Sequence, residues 1–100
     1  MKLPRKVRVG NKHYSVEIVE TMAHRGRMGD VNHDRRRITI GQRSNVTGRV
    51  FKPEAIADTF WHELTHAILA DMGMHDLNNN ERFVTGFANR LTKAIQTARF

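Results

Sequence analysis

Hydrophobic and polar positions alternate in the first half of the chain and recur at helical spacing in the second. Lys6-Val7-Arg8-Val9 alternates polar with apolar, Gly10-Asn11-Lys12 reads as a turn, and Tyr14-Ser15-Val16-Glu17-Ile18 resumes the alternation into Val19. A period of two puts successive side chains on opposite faces, so these segments predict a hairpin with one buried face. The Gly-rich, charged stretch from His24 to His33 holds room for a short strand around Met28–Val31. Arg36-Arg37-Ile38-Thr39-Ile40, ending at Gly41, predicts a further strand. Gln42 to Lys52 is connecting chain, with Asn45 and Gly48 as turn formers.

From Pro53 the period changes. Proline suits the first turn of a helix, where its missing N–H leaves no bond unmade, and Glu54 suits the positive helix N-terminus. Ile56, Phe60, Leu64, Ala67 and Ile68 then recur at helical spacing until Gly73, a natural terminator. Asn78-Asn79-Asn80 offers N-caps for a second helix with an apolar stripe of Phe83, Val84, Phe87, Leu91 and Ile95. The short turn Met74 to Leu77 between them predicts that the helices pack as a hairpin. The expected fold class is α+β: a small antiparallel β-sheet within residues 1–50, then helices over about 53–72 and 79–98, in one domain.

Composition narrows the function classes. Hydrophobic residues at 39 % and charged residues at 27 % are ordinary for a globular chain of 100 residues with one modest core. No apolar run approaches the roughly 20 residues of a membrane span. The N-terminus is basic but lacks the apolar segment of a secretory signal, so a cytoplasmic protein without membrane association is expected. With no cysteine, disulfides and thiolate ligands are excluded, and any metal must sit on His, Asp or Glu. The net charge of +7 is concentrated in His24-Arg25-Gly26-Arg27 and His33-Asp34-Arg35-Arg36-Arg37. Such loops attract nucleic acid or acidic proteins weakly, but without stacking aromatics beside them a solvated basic surface is the simpler reading.

The strongest chemical signal is His62-Glu63-Leu64-Thr65-His66, an HExxH motif inside the first helical run. Two histidines at i and i+4 stand one turn apart on one face, where both imidazoles can grip one Zn²⁺. The adjacent Glu63 is then placed to act as a general base. The apolar stripe lies partly beside this face, so one side of the helix enters the core while the next lines a cleft. A merely structural pair of half-buried histidines is the alternative, made less favourable by the intervening Glu on a well-marked helix. Catalytic zinc takes a third protein ligand, and His75, Asp71, Asp76 and Glu81 are the candidates. Asp71 is rotated off the histidine face, and His75 and Asp76 lie beyond the helix end. Glu81 could fold back on an antiparallel second helix, although Asn78-x-x-Glu81 also reads as a capping box. His13, His24 and His33 lie in the strand-rich half, where they read as surface residues, with His24 or His33 able to approach a cleft.

Thr59-Phe60-Trp61-His62-Glu63-Leu64-Thr65-His66-Ala67-Ile68-Leu69 resembles the active-site helix of the ImmA/IrrE-type and SprT-like zinc metallopeptidases. Within that broad, gluzincin-like group it looks closest to short phage-encoded members. Asn80-Glu81-Arg82-Phe83-Val84-Thr85-Gly86-Phe87-Ala88 is similar to the second helix of the family, and Gly29-Asp30 with Ile38-Thr39-Ile40 resembles its strand pair. The resemblance, over about residues 28–98, implies a minimal zincin-like fold with zinc on His62, His66 and Glu81. It also implies Glu63 as the catalytic base of peptide-bond hydrolysis. The chain departs from the pattern in lacking the extra N-terminal helix common in that fold. Its only tyrosine, Tyr14, is far upstream, which leaves His75 or a loop arginine to stabilise an oxyanion. A peptide substrate would add as a strand to a sheet edge, for which Ile38–Ile40 is the expected edge. The alternative function is a non-catalytic zinc-binding regulator or nucleic-acid-associated phage protein that uses its basic loops; the expected compartment is the cytoplasm, that of the host if the chain is phage-encoded.

Overall fold

The computed structural model describes residues 2–100. Four strands, β1 (Lys6–Val9), β2 (Lys12–Val19), β3 (Gly29–Asn32) and β4 (Arg37–Gly41), precede helices α1 (Pro53–Asp71), α2 (His75–Asn78) and α3 (Glu81–Thr97). The class is α+β, as the change of period predicts. In the β1–β2 hairpin, Val9 pairs with Lys12 across Gly10-Asn11, and Gly10 takes φ +59, a left-handed conformation that glycine adopts without strain.

The sheet is mixed rather than antiparallel. Its order is β1-β2-β4-β3, with β2 and β4 parallel from Ser15↔Arg37 to Val19↔Gly41. After β2 the chain runs out to form β3 at the far edge, then returns antiparallel as β4 into the place beside β2. Alternation along a strand tells which face is buried but not which neighbour it takes, so the sequence pattern left this crossover invisible. Ile38–Ile40 is consequently an interior segment, with both isoleucines at 0 % exposure. The edges of the sheet are β1 and β3.

One face of the sheet packs on α1. Val9, Tyr14, Ile38 and Ile40 close around Phe60 and Ala67, flanked by half-buried Val7, Val16, Val31, Ile56 and Leu64. Each of the large apolar side chains buried there contributes about 1.5–3 kcal/mol. The alternation of β4 and the helical stripe of α1 thus meet in one core. The other flank of α1 packs against α3 through Val84, Ala88 and Thr92, all nearly inaccessible. Thr59, Thr65 and Thr92 remain tolerable inside helices because each hydroxyl donates to the carbonyl four residues back, of Ala55, Trp61 and Ala88.

The helix ends follow local chemistry. α1 starts at Pro53 and stops in a Schellman arrangement, with Gly73 at φ +72 donating to Ala70 O and Met74 N donating to Leu69 O. The expected turn Met74 to Leu77 instead contains the single turn of α2, which sits between α1 and α3 and packs on both. Asn80 caps α3, its side chain accepting from Phe83 N. Among the described residues, no helix is long and apolar enough to cross a membrane.

Candidate metal centre

With the sheet on one flank of α1 and α3 on the other, the strip between them faces a cleft of about 430 Å³. Asp58, Thr59, His62, Glu63 and His66 supply its floor from α1. Gly26 to Gly29 form one wall at the start of β3, and Glu81 and Thr85 form the other from α3. The HExxH strip is therefore on the cleft-facing edge of a helix whose neighbouring face is in the core, as the stripe offset predicts.

His62, Glu63 and His66 each bring a donor atom within 4.8 Å of one another. Glu81, exposed on its outer side, reaches both imidazoles: its Oε1 is 2.9 Å from His66 Nε2 and its Oε2 is 3.3 Å from His62 Nε2. Donor atoms around a tetrahedral zinc stand roughly 3.3 Å apart, given metal–donor distances of about 2.0–2.2 Å. The two nitrogens and the carboxylate already approach that spacing. Glu63 points to the same region from deeper in the floor, 8 % exposed, whereas His62 and His66 are half-buried.

The charges of the site follow from this burial. Desolvation lowers the pKa of His62, with the Glu81 carboxylate opposing and His66 reinforcing the shift. A depressed pKa keeps the imidazole neutral at neutral pH, the form that ligates metal. Desolvation pushes Glu63 up to about 7, aided by the carboxylates of Asp30 and Glu81 and opposed by His66 and Arg27. A carboxyl poised near neutrality can both take and return a proton, which a solvated glutamate does poorly.

On its other side, His66 meets α2: Nδ1 lies 2.6 Å from Asn78 Oδ1. The amide oxygen accepts, so Nδ1 is the donor in this bond, and Nε2 is the atom that faces Glu81. At 2.9 Å, a proton or a cation between Nε2 and the Glu81 carboxylate satisfies both atoms. The donor set and its spacing fit a divalent cation held by His62, His66 and Glu81.

The other candidate residues are elsewhere. Asp71 pairs with Lys12 at 3.5 Å and packs beside Gly10 on the β1–β2 hairpin. His75 and Asp76 lie on α2, bordering a separate surface hollow. His13, His24 and His33 are exposed and do not line the cleft. It is Arg27, from the His24–Arg27 loop, that reaches it, 3.4 Å from Asp30. That loop is fastened by Asn45, whose amide donates to Met22 O and His24 O and accepts from Gly26 N. The capping box read at Asn78-x-x-Glu81 does not form, because Asn80 is the cap. Sequence reasoning missed Asn78 as a partner of His66, and no spacing signal marks it; only its place between the helices could have raised it.

No family model, no curated protein and no solved structure matches this chain, so a functional reading rests on the geometry of the site.

Proposed function

We propose that the protein is a zinc-dependent metallopeptidase, with His62, His66 and Glu81 holding the metal and Glu63 serving as catalytic base. The observation that carries this reading is the Glu81 carboxylate spanning both Nε2 atoms of an HExxH helix at 2.9 and 3.3 Å. The resemblance of the Thr59–Leu69 helix to ImmA/IrrE-type and SprT-like enzymes supports it as well. Two imidazoles and one carboxylate, without thiolate, are the ligand set of catalytic rather than structural zinc. Zinc bound there would act as a Lewis acid toward water and the substrate carbonyl.

The chain's own residues do the rest. Glu63, in its dry wall, takes a proton from the attacking water and passes it to the leaving amine nitrogen. Gly29, at the start of β3, lines the cleft. β3 pairs with β4 on one side only, so its outer edge is open to an extended peptide that adds as a further strand. The substrate class is therefore a peptide or an unfolded protein segment bound mainly through its backbone, with β3 taking the part expected of Ile38–Ile40.

The test is elemental analysis of metal bound to the parent, H66A, E81A and E63Q chains, followed by assay against a fluorescence-quenched peptide library. One zinc per chain is expected in the parent and in E63Q, with loss in H66A and weakening in E81A. Hydrolysis is expected in the parent alone. A parent chain that takes up no zinc when it is supplied, or an E63Q chain that turns over normally, overturns the proposal.

A further inference from the structure

We infer that Asn78 is a positioning residue that fixes the ring of His66 for metal binding. The inference rests on the zinc reading of the site and adds a residue outside the HExxH pattern and outside the ligand set. α2, a single turn inserted between the two long helices, has no buried residue and contributes nothing to the core. Its last residue, Asn78, is half-buried and places Oδ1 2.6 Å from His66 Nδ1, twelve residues downstream of that histidine. One short segment thus flanks the imidazole on both sides, with Asn78 at Nδ1 and Glu81 at Nε2.

The physical effect is twofold. A ligating histidine must present a lone pair at one nitrogen, and an acceptor at the other nitrogen keeps the proton there and the lone pair on the metal side. The same bond stops the ring rotating about its Cβ–Cγ axis, so less ordering remains to be done when metal arrives. Among the described residues, His62 Nδ1 has no hydrogen-bond partner, and its Nε2 is the atom that faces Glu81. Asn78 therefore acts on one ligand and not on both. Asn79 and Asn80, its neighbours in the same run, make no hydrogen bond to the imidazole, and Asn80 is occupied in capping α3.

The experiment compares the parent with N78A, which removes the acceptor, and N78D, which keeps an acceptor of the same length. Zinc affinity is measured by competition with a chromophoric chelator, and circular dichroism shows that each variant is folded. N78A is expected to bind zinc about 10–100-fold more weakly, the usual effect of deleting such a partner, while N78D stays close to the parent. A second readout needs no metal: ¹³C relaxation of the His66 ring in the metal-free protein. The ring is expected to be rigid in the parent and in N78D and mobile in N78A, with His62 unchanged. An N78A chain with parental zinc affinity, or with a His66 ring as rigid as the parent's, overturns the inference. A parent that binds no zinc overturns the proposed function instead, and the ring relaxation still decides the role of Asn78.

Discussion

Replacing Glu63 with Gln in the metal-free protein should change how stability depends on pH, and the structure gives the size and sign. Glu63 is 8 % exposed, and burial raises its pKa from 4.5 to about 7. Below pH 4.5 the carboxyl is protonated in both folded and unfolded chains and contributes no pH dependence. Between 4.5 and 7 the folded chain still holds the proton that the unfolded chain has released, so stability falls as pH rises. Above 7 both forms are ionised and the whole loss is in place. At 1.36 kcal/mol for each pH unit, the interval between 4.5 and about 7 corresponds to about 3 kcal/mol. Glutamine cannot ionise, so E63Q escapes this loss. Urea denaturation of both chains from pH 4 to 8.5, with chelator present, should show the stability of E63Q rising relative to the parent by about 2–3 kcal/mol. The rise should begin near pH 4.5 and level off above 7. A constant offset between the two curves at every pH would refute the argument, because it would mean that the Glu63 carboxyl ionises as it does in water.

Other consequences are as direct. Zinc at a hundredfold excess over its dissociation constant should stabilise the parent by about 2.7 kcal/mol, read as a rise in Tm, and H66A should show no such rise. Gly29 has no room for a side chain, since a Cβ there would stand 2.5 Å from Thr59 Cγ2 and 3.2 Å from Glu63 Cγ. Gly29→Ala should therefore cost about 1–3 kcal/mol by forcing β3 away from α1, measured by denaturation. Phe60, 1 % exposed at the centre of the core, should cost about 3–5 kcal/mol when cut to Ala. Asn80→Ala should lose about 1 kcal/mol of stability with the cap of α3 but leave zinc affinity, measured by chelator competition, near the parent's.

The elements of the fold were legible because each is amphipathic in its own period. Tyr14 and Val16 declared a buried face by alternation, and Phe60 and Ala67 did so by helical repeat; the structure joins them in one core. Pro53 and Gly73 marked both ends of α1 by backbone chemistry alone. Strand order was not legible, since Ile38-Thr39-Ile40 reads the same whether β4 lies at an edge or between β2 and β3. The parallel pairing of β2 with β4 depends on where the chain crosses, which no local pattern records. At the site, His62, Glu63 and His66 were visible because their spacing matches the helical turn. The approach of Glu81 to them follows from the angle at which α3 returns, and its alternative as a capping residue falls because Asn80 takes the cap. The high pKa of Glu63 was beyond sequence reasoning, because it comes from burial beneath a strand more than thirty positions away.

That last separation divides the site between two stretches of the chain. Every residue that reaches toward the metal position lies between His62 and Glu81, inside the helical half of the chain. The wall that dries Glu63 comes from the strand-rich half, through Gly29 and the loop before it. Under the proposed function, the side chains that would hold metal come from one contiguous stretch, and a second, distant one covers the catalytic base. Under the proposed function, sequence change in the loop from His24 to Met28 would shift the pKa of Glu63 and leave the three side chains that would hold metal in place.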